Sequence, residues 1–174
     1  MEERIMTQTT VSEFRDRLVA GQVVDLETAE TLVRILDDDT NMKPGEVAVQ
    51  STAEIDVKGA EAAFTQKTFQ GIAIWSEFQN EKALSTGVNS YEDDQPITLL
   101  RKGTIAVLLG DTVVKNDIGY FTHTTGDSAA KTWRIDLDTN KASQVPGYYL
   151  EGGDSGDIVL FYLDIAAGIG STLT

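Results

Sequence analysis

The residues with the most chemical promise are Gly153-Asp154-Ser155-Gly156. A serine in such a segment can act as a nucleophile when a histidine takes its proton and a carboxylate orients that histidine. His123 is the only histidine, and Asp136 and Asp138 lie between it and Ser155, so the residue types of a triad occur in a workable order. The spacing argues against one. His123 and Ser155 are too near in sequence to come from two separate barrels, as a double-barrel protease requires. Asp157 also stands where the protease motif continues with glycine. The segment is expected to be a loop of Gly and Asp between two strands, and no catalytic residue is assigned.

Two acidic runs alternate as the first ligands of a calcium loop do: Asp136, Asp138, Asn140 and Asp37, Asp39, Asn41. A helix–loop–helix calcium site also needs Gly at its sixth position and Glu at its twelfth. Those positions hold Lys141 and Gly147 in the first run, and Met42 and Ala48 in the second. Glu92-Asp93-Asp94 could supply an acid–base pair for glycoside hydrolysis, but that work needs surroundings that push two carboxyl pKa values apart. Adjacent carboxylates in a polar loop are solvated alike. A single histidine leaves no histidine-rich metal site, and the absence of cysteine removes thiolate ligands, disulfides and cysteine nucleophiles. No glycine-rich loop followed by Lys and Ser or Thr is present to cradle a phosphate. The expectation is no metal and no cofactor.

The elements that would position these residues follow from composition and pattern. The 174 residues suit one compact domain with a modest extra segment, and a 41% hydrophobic content can form a core. Acidic residues outnumber basic ones, 28 to 14, giving a net charge of −14 spread along the chain. Such a surface repels phosphates, so no nucleic-acid partner is expected. The opening Met1-Glu2-Glu3-Arg4 lacks the character of a secretory signal. The longest apolar run, Ile158 to Leu163, is too short to cross a bilayer. A soluble protein made in the cytoplasm, with no membrane partner, is the expectation.

Two short helices are predicted first. Ser12 can cap one through Phe14 and Leu18, ending at Gly21. Asp25 can cap another with Leu26, Ala29, Leu32, Val33 and Leu36 on one face. After Pro44 the segments become short and β-branched. Strands are predicted over Glu46–Gln50, Glu54–Val57, Thr68–Trp75, Ile97–Leu100, Thr104–Leu109, Thr112–Lys115, Ile118–Thr122, Thr132–Leu137 and Asp157–Ile165. Turns are placed at Gly103, Gly110-Asp111 and Asp117–Gly119, with a hairpin turn at Asp138–Lys141. The fold class is mainly β, an antiparallel sandwich or barrel with a short N-terminal α-helical segment. The organisation reads as a helical arm over 1–43, a β-rich domain over 44–165 and a flexible tail over 166–174.

From Gly71 onward the ordered signals carry a resemblance. A glycine-led strand, Gly71-Ile72-Ala73-Ile74, precedes Tyr91 with Asp93-Asp94. Two apolar stretches then flank Gly103, from Ile97 to Val107. Gly110-Asp111-Thr112-Val113-Val114 and the closing strand Ile158–Leu163 follow, and Pro44-Gly45-Glu46-Val47-Ala48 supplies the opening. This series resembles the structural cement proteins of tailed phages over roughly residues 44–165. The resemblance implies a non-enzymatic protein on the outside of the virion capsid that bridges subunits of the major capsid protein. It also implies self-association, with a homotrimer favoured over a dimer. Tyr148, Tyr149, Phe14 and Leu18 are the candidate interface residues, because Tyr is enriched at such surfaces and the helical arm has no other assigned task. The competing reading is another virion β-module of the tail, baseplate or host-binding apparatus.

Overall fold

Several runs in this chain are apolar at consecutive positions, as in Val47-Ala48-Val49 and Leu99-Leu100. A strand of that kind has to be buried on both faces. The computed structural model describes residues 18–37, 42–75, 90–126, 129–137 and 140–167, and within them the chain forms nine strands. These are β1 (Glu30–Leu36), β2 (Val47–Gln50), β3 (Asp56–Gly59), β4 (Phe69–Ala73), β5 (Pro96–Leu108), β6 (Ile118–Thr122), β7 (Trp133–Arg134), β8 (Ala142–Tyr149) and β9 (Ile158–Asp164). A single 3-10 turn, Ile165–Ala167, follows β9.

The strands hydrogen-bond in the order β1-β3-β2-β4-β5-β9-β8-β6-β7, and β1 also pairs with β5. That extra pairing closes β1, β3, β2, β4 and β5 into a five-stranded barrel, antiparallel throughout except for β1 against β3. The thirteen-residue β5 is the spine. Its first half pairs with β1 and β4, and from Lys102 to Leu108 it pairs with β9. β9, β8, β6 and β7 then form a second lobe. The lobe returns to the spine through a Leu109–Trp133 bridge and the Gly110 N–H, which donates to the Trp133 carbonyl at 2.8 Å. The remaining edge of β5 is covered by the segment 21–24, where the Gly21 and Ala106 N–H groups donate to the Ala106 and Gln22 carbonyls.

This arrangement accounts for the double-faced apolar runs. Ala48, Ala73, Ile97 and Leu99 fill the barrel with Leu36, Met42, Val57 and Tyr91. Their sequence neighbours Val47, Val49, Ile72 and Leu100 point the other way, into a larger core shared with the second lobe. At the centre of that core, Trp133 lies 4.8 Å from Phe161 and 5.6 Å from Phe121 between ring centroids, and Tyr149 meets Phe161 edge-on at 5.2 Å. The Trp133 indole N–H donates to the Gly45 carbonyl at 2.9 Å, tying the second lobe to the approach to β2. The Phe161 ring rests on bare backbone. A Cβ at Gly147 would fall 2.6 Å from the ring and 2.1 Å from the Tyr162 carbonyl oxygen.

The fold is mainly β as expected, in the form of a closed barrel with further strands. Five expectations need correction. The helix from Asp25 to Leu36 is instead a turn followed by β1. The Asp25 carboxylate accepts from the Glu27 N–H and the Thr28 hydroxyl, so a side chain that can cap a helix here closes a local turn. The predicted break at Gly103 is absent, and β5 runs through it. Thr112–Lys115 contributes only a one-residue bridge, Val113 to Gly153. Residues 142–149, assigned no strand above, form β8. The segment after β7 leads into β8 but makes no hairpin, because β6 lies between the two strands. Asp138 and Thr139 lie outside the described residues, as do Ser12 and Phe14 of the first predicted helix. No α-helix occurs among the described residues.

Candidate functional site

The polar residues that invite a chemical reading are mostly parts of four turns built alike. Each turn opens on a bridge residue: Met42, Tyr91, Val113 or Gly153. Its fourth residue is left-handed, with φ of 86° at Gly45, 60° at Asp94, 73° at Asn116 and 93° at Gly156. Gly, Asn and Asp are the residue types that tolerate this conformation. The fifth residue is Glu46, Gln95, Asp117 or Asp157. Its side chain accepts a hydrogen bond from the N–H of the second residue at 3.1, 3.3, 2.8 and 2.9 Å respectively. Its own N–H donates back to the carbonyl of that same second residue. A strand starts at the next position in every case: β2, β5, β6 and β9. The turns also associate in two couples, since Met42 bridges Tyr91 and Val113 bridges Gly153.

Ser155 is therefore the third residue of the fourth turn. It is exposed, and its hydroxyl donates to the Gly110 carbonyl at 3.1 Å. His123 follows β6, where its N–H donates to the Lys141 carbonyl just before β8 begins. Ser155 precedes β9 at the other end of the same lobe. The length of β8 separates them, about 23 Å at the usual strand rise, whereas proton transfer needs hydrogen-bond contact. The triad is not assembled. The His123 Nδ1 lies 3.0 Å from the Thr124 hydroxyl, and burial holds its pKa below the ordinary histidine value.

The other candidates are likewise structural. Glu92, Asp93 and Asp94 occupy the second to fourth places of the second turn, and the Asp94 N–H donates to the Leu36 carbonyl. Asp37 accepts from the Ser51 hydroxyl at 2.6 Å, and Asp136 pairs with Arg134. Asp39, Asn41 and Asp138 lie outside the described residues. Among those described, no three His, Cys, Asp or Glu side chains are grouped to hold a metal ion. No helix among them is long and apolar enough to cross a membrane.

The structure separates the interface candidates. Tyr149 is fully buried, and its hydroxyl donates to the Arg134 carbonyl at 2.9 Å; burial pushes its pKa far above the tyrosine range. Leu18 is also buried within the chain. Tyr148 is half-buried with its ring 5.4 Å from that of Tyr162. Phe14 lies outside the described residues. Larger exposed apolar groups escaped the sequence reading: Leu26, Val33, Ile55, Val114 and Leu137 are all more than half exposed. Strand register could have flagged Val33, because its neighbours Leu32 and Arg34 face inward.

The family described as structural cement protein (E217 gp24/Pam3 gp6) matches residues 7–164. The chain belongs to this family. Among solved structures, this cement protein is similar to a chain of the capsid of Myoviridae phage XM1, at 15% identity and a TM-score of 0.64 over 84% of this chain and 90% of that one. It is also matched to the N base of the head fibre gp8.5 of bacteriophage phi29, at 10% identity and a TM-score of 0.43 over 82% and 100%. No curated protein sequence matches it. The family match spans the nine described strands and the four turns. Its role is that of a phage structural protein in capsid decoration.

Proposed function

We propose that this cement protein sits on the exterior of the mature capsid and stabilises junctions between major capsid subunits. The observation that carries this reading is the family match over residues 7–164. The geometry agrees with it: acidic and hydroxyl groups that could do chemistry close turns instead, and apolar side chains are left on the surface. Packaged DNA presses outward on a shell. A protein that adheres across subunit seams only after expansion stabilises the expanded state by mass action. Individually weak contacts suffice when an oligomer engages several subunits together. In this reading the protein is made in the host cytoplasm, catalyses no reaction, and has the major capsid protein and its own copies as partners, with neither nucleic acid nor membrane among them. Of the two candidate tyrosines, Tyr148 is the one exposed enough for such contacts.

The test is a binding assay of the purified chain against expanded capsids and against the unexpanded precursor. Attachment to expanded shells alone is expected. Equal attachment to both would overturn the mechanism.

A further inference from the structure

Among the described residues, β1 has an open and exposed strand edge. β1 pairs with β5 from Glu30 to Ile35, but its other edge meets β3 only at Ile35 and Leu36. From Glu30 to Arg34 that second edge has no strand partner among the described residues. The direction of its free groups follows from the ends of the ladder. The Leu36 N–H donates to the Gln95 carbonyl and the Leu36 carbonyl accepts from the Asp94 N–H, so the even residues of β1 address β5. The Ile35 N–H donates to Ile55, so the odd residues address the open side. The backbone groups without a backbone partner are therefore those of Thr31 and Val33.

Native proteins blunt open edges with proline, inward-pointing charge or a bulge that twists the edge away. Of these, the edge has an inward-facing charge at Arg34 and a register shift against β5 between Glu30 and Thr31, and it has no proline. Here Thr31 is exposed, and Val33 is 58% exposed in mid-edge. Arg34 lies close by with its Nη1 on the Val33 carbonyl at 3.3 Å, while its buried Nε has no partner. The sequence Glu30-Thr31-Leu32-Val33-Arg34 has opposite charges at its two ends.

We infer that β1 pairs with β1 of a second copy, antiparallel and centred on Leu32. In this register Thr31 of each copy faces Val33 of the other, so all the free N–H and C=O groups are used in hydrogen-bonded pairs. Glu30 then faces Arg34 of the other copy, twice, and gives each Arg34 an acid partner. Moving the centre by one residue loses both features. An isologous contact of this kind closes with two copies, so it selects the dimer over the trimer. The inference deepens the reading of the chain as a self-associating shell component, because a two-copy unit would double the seam contacts made per attachment.

Sedimentation of the full chain tests this with charge reversals. The wild type is expected as a two-copy species. Glu30→Arg alone and Arg34→Glu alone each place like charges opposite one another and should weaken association on the order of tenfold. Mixing the two variants restores both ion pairs and should yield a heterodimer, and the double swap in one chain should restore the homodimer. Thr31→Pro removes a free edge N–H without touching the β5 ladder, so it should give a folded single-copy species even if a charge variant fails to fold. A wild type that sediments as one copy or three, folded reversals that stay paired, or a mixture that does not associate would each overturn the inference. Capsid attachment is read separately. A single-copy wild type that still coats expanded shells refutes the pairing and leaves decoration standing; a paired chain that ignores shells does the reverse.

Discussion

Replacing Trp133 with Phe probes the joint between the barrel and the second lobe. Trp133 is 1% exposed, and its indole N–H reaches across to the Gly45 carbonyl at 2.9 Å. Phenylalanine keeps a ring against Phe121 and Phe161 but loses the donor. The lost hydrogen bond and the buried carbonyl left without it cost about 2 kcal/mol. The smaller ring leaves a void worth roughly 1 kcal/mol more. The expected loss is about 3 kcal/mol, or a fall in melting temperature of about 6–12 °C for a chain of this size. Denaturant unfolding followed by far-UV circular dichroism measures it. Tyr149→Phe provides an internal scale, because it removes one buried hydroxyl, bonded to the Arg134 carbonyl, and almost no volume. Its expected loss is about 1–2 kcal/mol. A Trp133→Phe loss below about 1 kcal/mol with an unchanged denaturant slope would refute the claim that the indole bond holds the lobes together.

Gly147→Ala should lower stability by about 3 kcal/mol in a thermal melt, because the added methyl group meets the Tyr162 carbonyl and the Phe161 ring at impossible distances. Asp157→Ala removes the side-chain acceptor of the fourth turn and should cost about 1 kcal/mol by denaturant titration, while Ser155→Ala should change stability little. Glu46 offers a pH test: desolvation raises its pKa above 4.5, outweighing the ion pair with Lys131 and the Lys43 N–H. The folded state therefore holds the extra proton, and that contribution is present below pH 4.5 and lost as pH rises through the folded pKa. Glu46→Gln should accordingly gain on the wild type as pH rises from 4 to 7 in parallel melts; a gap independent of pH would contradict the assignment. Finally, the net charge of −14 should make capsid attachment weaken in high salt if it meets a basic patch, as measured by co-sedimentation.

The parts of this fold that were legible from sequence are those where local and tertiary preferences coincide. β2, β6 and β9 are marked by apolar runs rich in β-branched residues that follow a Gly or Asp turn. β1 reads as a helix because Arg34 occupies an inward-facing position, which breaks the alternation, while Leu26, Ala29, Leu32, Val33 and Leu36 happen to fit a helical face. β8 is hidden in the sequence because Pro146-Gly147 looks like a stop. In the structure the β6–β8 register shifts between Ile118 and Tyr120, opposite that dipeptide, so the missing proline N–H falls at a bulge. Gly103 has the residue type of a turn, yet its φ of 127° lets one strand bend past Ala29 and pass from the barrel to the second lobe. Partner choice along β5 is tertiary information, and no local signal encodes it.

The four turns show how a motif can be visible in residues yet opaque in meaning. Lys-Pro-Gly-Glu, Glu-Asp-Asp-Gln, Val-Lys-Asn-Asp and Asp-Ser-Gly-Asp share little identity. What repeats is a conformational demand: a left-handed third member, then an acceptor two carbons or three from the backbone that returns to the first N–H. Read singly, Asp-Ser-Gly-Asp suggests a nucleophile and Glu-Asp-Asp an acid–base pair. Read as a set, each launches a strand, and the bridges between their opening residues fix which launches lie side by side. A body specified in this way uses its acidic side chains as internal acceptors. The exposed apolar side chains and the open β1 edge are then the features with the freedom to meet a partner.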